Sequence, residues 1–332
     1  MEDIQYMKLA ICLASKAENF EVNSNPKVGA VLVYNNTIIG QGYHIRQGEG
    51  HAEVNCITSV PVNLRHLIPQ STMYVTLEPC AHQGRTPSCA KMLVDQKIKK
   101  VVVGTLDPFP KVAGKGCEIL REGGVDVSVG LLEDQCKAVA KIFMTNQLLK
   151  RPYITLKWAE SNDGFIDCNR NPNEPAAKIS SPYIQLLTHK LRGEHSAILI
   201  GKRTALMDQP RLNNRLYPGL PSPKVFVIDS HRESDAIPAP KNEWHLIKGT
   251  DDLNQVMSNL YDQGVTSLLV EGGAKIIRSF LEQNLWDTIR REVGAINLGA
   301  GVEAPQLSSS LSPSHIDNID RHQLIYYHNS AV

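Results

Sequence analysis

The chain has 332 residues, which at about 150 residues per domain points to two domains. Hydrophobic residues make up 42% and charged residues 21%, the balance of a soluble globular protein. A formal net charge of +1 provides no global field for nucleic acid or an anionic membrane, so neither is expected as a partner.

The N-terminus, "MEDIQYMKLA", opens with two acids and has no apolar core of signal-peptide type. No apolar run approaches the roughly 18 residues of a membrane span. Seven cysteines are scattered along the chain, and without an export signal they read as thiols or metal ligands. The expected compartment is the cytoplasm.

Tyr6, Ala10, Leu13, Ala14 and Ala17 recur at helical spacing, so residues 3–18 are expected to form an amphipathic helix. "AVLVY" and "TIIGQGY", separated by Asn35-Asn36, read as a hairpin. "HAEVNCITSV" reads as a helix beginning near its histidine, and "STMYVTLE" as a strand. "TPSCAKMLVDQK" reads as a helix, with Thr86 as N-cap and Pro87 at its first position. "KKVVVGT" is a buried-strand run, "AGKGCEILREGG" a helix stopped by paired glycines, and "VDVSVG" a further strand. Residues 131–150 read as one longer helix. Together these elements make a mixed sheet covered by helices.

Arg151-Pro152 marks the expected boundary, giving domains 1–148 and 151–332. "YITLKWA" then reads as a strand, and "SPYIQLLTHKLRG" as a helix with Ser181 as N-cap. "SAILIG", "KVFVID" and "VTSLLVEGG" are short apolar strands, the last leading into the helix "AKIIRSFLEQNL". This alternation points to a doubly wound α/β domain. Residues 167–178 and 204–224, polar or proline-rich, are expected to be irregular.

His51 precedes Glu53 by two residues, and Cys80 and Cys89 lie nine apart in "TLEPCAHQGRTPSCA". Catalytic zinc takes three nitrogen or sulfur ligands and keeps one position open to water. His51, Cys80 and Cys89 supply three such ligands. Glu53 can reach a water at the metal without being a ligand, and can carry a proton from it to a leaving ammonia. Zinc deaminases share this division of labour and the pattern H-x-E…P-C-x-x-C. Here the second cysteine comes later, so the intervening loop must return to the site. Cys12, Cys56, Cys117, Cys136 and Cys168 lack such a context and read as core or surface thiols.

In the second half, Glu271 and Gly272-Gly273 stand between a strand and a helix. Paired glycines there let a pyrophosphate approach backbone N–H groups. There is no G-x-G-x-x-G fingerprint. Lys157 and Asp208 are expected at other strand ends of the same sheet.

"NPKVGAVLV", "GYH", "GHAEVNCI", "TLEPCAHQGRTPSCA" and "DPFPKVAGKG" resemble the N-terminal half of the bifunctional riboflavin-biosynthesis pyrimidine deaminase/reductase family. "LKWAESNDG", "LIGKRTALMDQPRLNNR" and "SLLVEGGAKII" resemble its reductase half in the same order. The resemblance implies a cytidine-deaminase-like zinc domain followed by an α/β domain similar to dihydrofolate reductase. It implies one Zn2+ per chain on His51, Cys80 and Cys89, with Glu53 as proton shuttle. It suggests Asn25, His44 and Arg85 as substrate contacts, although Asn25 before Pro26 also suits turn initiation.

For the reductase half, the resemblance implies NADPH held by Lys157, Thr204, Asp208, Gly272 and Gly273. Ser180, Arg192, Arg215 and Glu271 would contact a phosphoribosylaminopyrimidine. Arg192 also suits a helix C-terminus. The chain departs from the family at Phe109, where asparagine is usual. Further departures are Gln209 in the D-D-P stretch and "AAKISS", where Lys178 takes the place of tryptophan. A monofunctional pyrimidine or nucleoside deaminase with an inactive C-terminal half is the alternative. A nucleic-acid-editing protein is a second rival, and the neutral charge argues against it. The sequence is compatible with a homo-oligomer and does not specify one.

Overall fold

The computed structural model describes residues 2–17, 25–82, 88–109, 112–171, 174–229, 244–250 and 252–329. The chain divides into two compact units, Met1–Lys150 and Arg151–Val332.

The first unit is built on a five-stranded sheet. In chain order its strands are β1 (Gly29–Tyr34), β2 (Thr37–Tyr43), β3 (Thr72–Leu77), β4 (Lys100–Thr105) and β5 (Asp126–Val129). Their spatial order is β2-β1-β3-β4-β5, with β1 antiparallel to both neighbours and the last three parallel. Asn35 and Asn36 both adopt positive φ, 44° and 60°, as a two-residue hairpin turn requires.

The inner strands β1, β3 and β4 are apolar on both faces because helices cover both. Helix α1 (Glu2–Ser15) packs Met7, Ala10 and Leu13 against Val31, Val33 and Val102. On the other face α2 (Ala52–Thr58), α3 (Cys89–Asp95) and α4 (Lys115–Glu122) meet Leu32, Val75, Val101 and Val103. Helix α2 lies so close to β2 that a Cβ on Gly42 would fall 2.4 Å from the Cys56 nitrogen.

Two expectations are corrected here. The cap of α3 is Ser88, whose side chain accepts from the Lys91 N–H, and not Thr86; Thr86 and Pro87 lie outside the described residues. The long helix expected over 131–150 is two helices, α5 (Glu133–Val139) and α6 (Lys141–Leu149), which meet at Ala140. Cys136 packs into the α1 cluster, whereas Phe143 and Met144 pack into the other cluster. One straight helix cannot direct its apolar stripe at both.

The second unit carries an eight-stranded sheet ordered β10-β9-β8-β11-β6-β12-β15-β14. Its strands are β6 (Tyr153–Glu160), β8 (Ala197–Gly201), β9 (Lys224–Asp229), β10 (Trp244–Lys248), β11 (Ser267–Glu271), β12 (Thr288–Val293), β14 (His315–Ile319) and β15 (His322–His328). The six from β10 to β12 run parallel, and β15 and β14 close the edge antiparallel. The short strands β7 (Phe165–Asp167) and β13 (Val302–Glu303) pair separately. Helices α7 (Pro182–Gly193), α8 (Lys202–Asp208), α9 (Leu253–Asp262) and α10 (Ala274–Glu282) supply the connections. Residues 204–208, expected to be irregular, belong to α8, and the strands after residue 287 carried no sequence assignment.

The buried Asp287 carboxylate ties β12 to β6. It accepts from Arg151 Nη1 at 2.6 Å, Arg151 Nη2 at 2.8 Å and the Ile154 N–H at 2.7 Å. Replacing Asp287 by Ala removes the carboxylate that takes two charge-assisted hydrogen bonds from the buried Arg151 guanidinium, so the second unit should lose about 3–5 kcal/mol. All three tryptophans, Trp158, Trp244 and Trp286, lie in that unit. Urea unfolding followed by tryptophan fluorescence therefore reads this loss without interference from the first unit.

Candidate active sites

In the first unit, His51 caps α2 in extended conformation, which leaves its ring free of the helix. Cys80 follows β3, and Cys89 is the first residue of α3. His51 Nδ1 lies 3.6 Å from Cys80 Sγ and 3.3 Å from Cys89 Sγ. The three ligand atoms all fall within 4.8 Å of one another. The donor set is one imidazole and two thiols with no hard carboxylate, which suits zinc. The Cys89 N–H, at the start of its helix, donates to Cys80 Sγ at 3.3 Å.

Glu53, in the first turn of α2, is buried. Its carboxyl shares a hydrogen bond with the Cys89 thiol, and burial pushes it up to about 7. Such a group gives and takes a proton near neutrality. Asn25 and His44 are brought together, with His44 against His51. His44 Nε2 lies 3.1 Å from Asn25 Nδ2, its Nδ1 lies 3.1 Å from the Gly50 carbonyl, and its ring meets that of His51 edge-on at 5.5 Å. This pattern suits a neutral ring that donates from Nδ1 and accepts at Nε2. Burial lowers the pKa of His44 in the same sense. Arg85 lies outside the described residues.

Sequence reasoning missed Glu78, just ahead of Pro79-Cys80. Its buried carboxylate accepts four backbone N–H groups, from Asp107 at 3.1 Å, Gly114 at 2.9 Å, Gly116 at 2.8 Å and Cys117 at 3.2 Å. The start of α4 is thereby pulled against the cysteine turn. A Cβ on Gly116 would fall 1.9 Å from the Pro79 carbonyl oxygen. The only signal in the sequence was a charged residue ending an apolar strand. Phe109, at a position where the family usually has asparagine, lies in the segment Glu78 anchors. The Lys150 ammonium sits 5.3 Å from its ring centre.

In the second unit a cavity of about 1730 Å³ opens at the carboxyl ends of β6, β8 and β11. Single-ligand pockets are typically about 300–1,000 Å³, so this one has room for two ligands. All nine reductase-half candidates line it: Lys157, Ser180, Arg192, Thr204, Asp208, Arg215, Glu271, Gly272 and Gly273. Gly272 and Gly273 have φ of 122° and 57°, and Cβ atoms there would fall 3.1 and 2.9 Å from Thr204 side-chain atoms. This bare turn beside a threonine at the head of α8 fits a dinucleotide pyrophosphate.

Glu271, the last residue of β11, pairs with Arg192 at 2.8 Å and Lys157 at 3.7 Å. Burial raises its pKa, but these cations outweigh burial and hold it below the usual range. Arg215 donates its N–H to His189 Nδ1 at 3.1 Å, and burial, with Arg192 and Arg215 nearby, pushes His189 down to about 4. Ser180 hydrogen-bonds Glu292 at 3.5 Å. Asp208 is not at a strand end as expected. It closes helix α8 and pairs with Arg170, which also binds Asp167 at 2.6 Å. His189 and Arg170 were not singled out from sequence, because only the fold brings them to the cavity, and Glu292 was missed because only the fold sets it against Lys157.

A nitrogen–sulfur metal triad in one unit and a two-ligand cavity at parallel strand ends in the other define a fused metallohydrolase and oxidoreductase. Residues 1–105 match the family model of the cytidine and deoxycytidylate deaminase zinc-binding region, and residues 152–319 match that of the RibD C-terminal domain. The riboflavin biosynthesis protein RibD of Aquifex aeolicus is 32% identical over 98% of both chains. That of Escherichia coli K12 is 34% identical over 87% of this chain and 86% of its own. The crystal structure of the diaminohydroxyphosphoribosylaminopyrimidine deaminase/5-amino-6-(5-phosphoribosylamino)uracil reductase of Thermotoga maritima superposes with a TM-score of 0.85. It has 30% identity and covers 98% of each chain. The Acinetobacter baumannii RibD structure (form 2) gives a TM-score of 0.84 at 28% identity.

The chain belongs to the RibD family of bifunctional deaminase/reductases of riboflavin biosynthesis, with a cytidine-deaminase-like domain and a reductase domain that use zinc and NADPH. An inactive C-terminal half is not favoured. Among the described residues, no helix is long and apolar enough to cross a membrane.

Metal analysis should find one zinc per chain. Cys80→Ser and Cys89→Ser should each lose it while the second unit keeps its tryptophan-detected unfolding transition. Full zinc content in both variants would overturn the ligand assignment.

Proposed function

We propose that residues 1–148 deaminate 2,5-diamino-6-(5-phosphoribosylamino)pyrimidin-4-one and that residues 151–332 reduce the ribosyl group of the product to ribityl. The observation that carries this reading is the pairing, in one chain, of a sulfur–nitrogen triad beside a buried carboxyl with a cation-lined cavity at a bare Gly-Gly turn.

His51, Cys80 and Cys89 hold the zinc, which supplies a Lewis acid beside the exocyclic amine. Glu53 takes a proton from the attacking water and returns it to the departing ammonia. Burial and its place in the first turn of α2, two residues after a ligand, support that role. Asn25 and His44 hold the polar edge of the pyrimidine. Arg85, between the two cysteines in the sequence, is assigned to the substrate phosphate by its charge.

In the reductase unit, Lys157, Thr204, Asp208, Gly272 and Gly273 hold the cofactor. NADPH, when bound, supplies the hydride. Arg192 and Arg215 take the substrate phosphate, and Ser180 and Glu271 the ribose. The ribose C1′–O4′ bond breaks as the amine nitrogen, keeping its N–H, forms a protonated imine. O4′ takes one proton and C1′ takes the hydride, so one proton and one hydride are consumed per ribityl chain formed. Lys157 holds its ammonium where the released ribose oxygen needs a proton. The partner is a small molecule, with no nucleic acid or membrane, in the cytoplasm. A homo-oligomer is compatible with this reading.

Two variants separate the activities. Glu53→Gln keeps the side chain's shape but cannot carry a proton, so ammonia release should fall about 10²–10⁴-fold with zinc retained. Reduction of pre-deaminated substrate should continue. Gly272→Val places a branched side chain at positive φ against Thr204, so NADPH oxidation should be lost while ammonia release continues. An unfolding transition at the wild-type position confirms that the variant is folded. Loss of both activities in Glu53→Gln would refute two separate sites. Normal reduction by folded Gly272→Val would refute the cofactor placement.

A further inference from the structure

We propose that Glu292 is a positioning residue for the reduction: it stands beneath the cavity floor and sets where the Lys157 ammonium points. The proposal rests on the reductase reading above and adds a residue to it.

Strand β12 lies inside the sheet, between β6 and β15. A strand buried there is ordinarily apolar, yet this one reads Thr-Ile-Arg-Arg-Glu-Val. Ile289 follows the rule and joins the apolar cluster of the unit. Arg290 and Glu292, two apart and therefore on one face, are 4% and 1% exposed.

The strand registers explain why charge is needed there. Glu271 of β11 pairs with Lys157 of β6, and Lys157 pairs with Arg290 of β12. Two cations are thus directly opposite each other on neighbouring strands, an arrangement that is destabilising unless compensated. Glu292 spans them. One carboxylate oxygen lies 3.0 Å from Lys157 Nζ, and the other lies 2.8 Å from Arg290 Nη2. Thr188 of α7 donates to the second oxygen at 3.2 Å, and Ser180 donates to the first at 3.5 Å. Arg290 is held in turn by donating to the Leu187 carbonyl at 3.2 Å.

Lys157, Ser180, Thr188, Arg192 and Glu271 line the cavity, whereas Glu292 and Arg290 do not. Among the described residues, the charged groups set against Lys157 are Glu271 on β11 and Arg290 and Glu292 on β12. Glu271 is a poor anchor for Lys157, because it lies 3.7 Å away and is engaged by Arg192 at 2.8 Å. The closer carboxylate, held from several sides, is Glu292. Its removal would let the ammonium swing toward Glu271 and loosen the grip of Glu271 on Arg192.

The test uses the full-length, zinc-loaded protein, pre-deaminated substrate and NADPH, with ammonia release as a control in the same protein. Wild type that oxidises no NADPH would overturn the reductase reading itself. Given wild-type reduction, Glu292→Gln should lower kcat about 10–100-fold, since misplacement of a reacting group by about 1 Å can cost about 10²-fold. NADPH affinity, read by nucleotide fluorescence, should fall far less than kcat, because Lys157 is one of five residues assigned to the cofactor and the other four keep their places.

Glu292→Asp keeps the charge that compensates Lys157 and Arg290 but shortens the arm, so it should fold and still lose part of kcat. The double variant Glu292→Gln/Lys157→Met should be no slower than Lys157→Met alone, as residues acting in one chain are non-additive. Normal kcat in Glu292→Asp, or in a folded Glu292→Gln, would overturn the proposal. So would losses that multiply in the double variant, or a fall in NADPH affinity as large as the fall in kcat. If Glu292→Gln fails to fold, Glu292→Asp decides.

Discussion

The Glu78 carboxylate sits out of water at the end of β3 and accepts four backbone N–H groups from the segment that leads into α4. A buried carboxylate is tolerated only where donors replace its lost hydration. That requirement ties Asp107, Gly114, Gly116 and Cys117 to the strand end from which the first zinc cysteine departs. The second unit obeys the same constraint twice. Asp287 takes three N–H groups from Arg151 and Ile154, and Glu292 takes Lys157, Arg290, Thr188 and Ser180. In each case the carboxylate joins pieces of chain far apart in sequence.

The two sites use different physics. The metal triad is compact and made from soft donors on two helix starts and a strand end, so few degrees of freedom remain for its ligands. Pre-organisation of that kind suits a hydrolysis in which charge develops at one atom. The reductase cavity is large and ringed by side chains from several strands and helices. It must bring two ligands to one another, so orientation outweighs any single contact. Two glycines leave backbone bare for one ligand, while a charged floor directs side chains toward the other.

Two residues noted in the sequence stand beside these sites. Phe109 lies under the Lys150 ammonium in the segment anchored by Glu78. Lys178 lines the reductase cavity. In the same polar loop, Arg170 clasps Asp208 and Asp167. That clasp holds the loop to the end of α8 by charge.

Local pattern was enough for the hairpin, the Ser181 cap, the parallel strands β6, β8, β9 and β11 and the Gly-Gly turn, because each depends on residues a few positions apart; β10 was not read. His51, Glu53, Cys80 and Cys89 were legible because metal chemistry restricts residue type so tightly. Tertiary structure decided the rest. Whether residues 131–150 form one helix or two depended on which side of the sheet each apolar group met. Ser88 capped α3 because Cys89, the residue after it, had to start the helix beside Cys80. The charged strand β12 resisted reading altogether: Arg290 and Glu292 look like surface residues until the sheet register sets them against Lys157. Long-range pairing of buried charge leaves no periodic trace in a sequence, so only the folded sheet could reveal it.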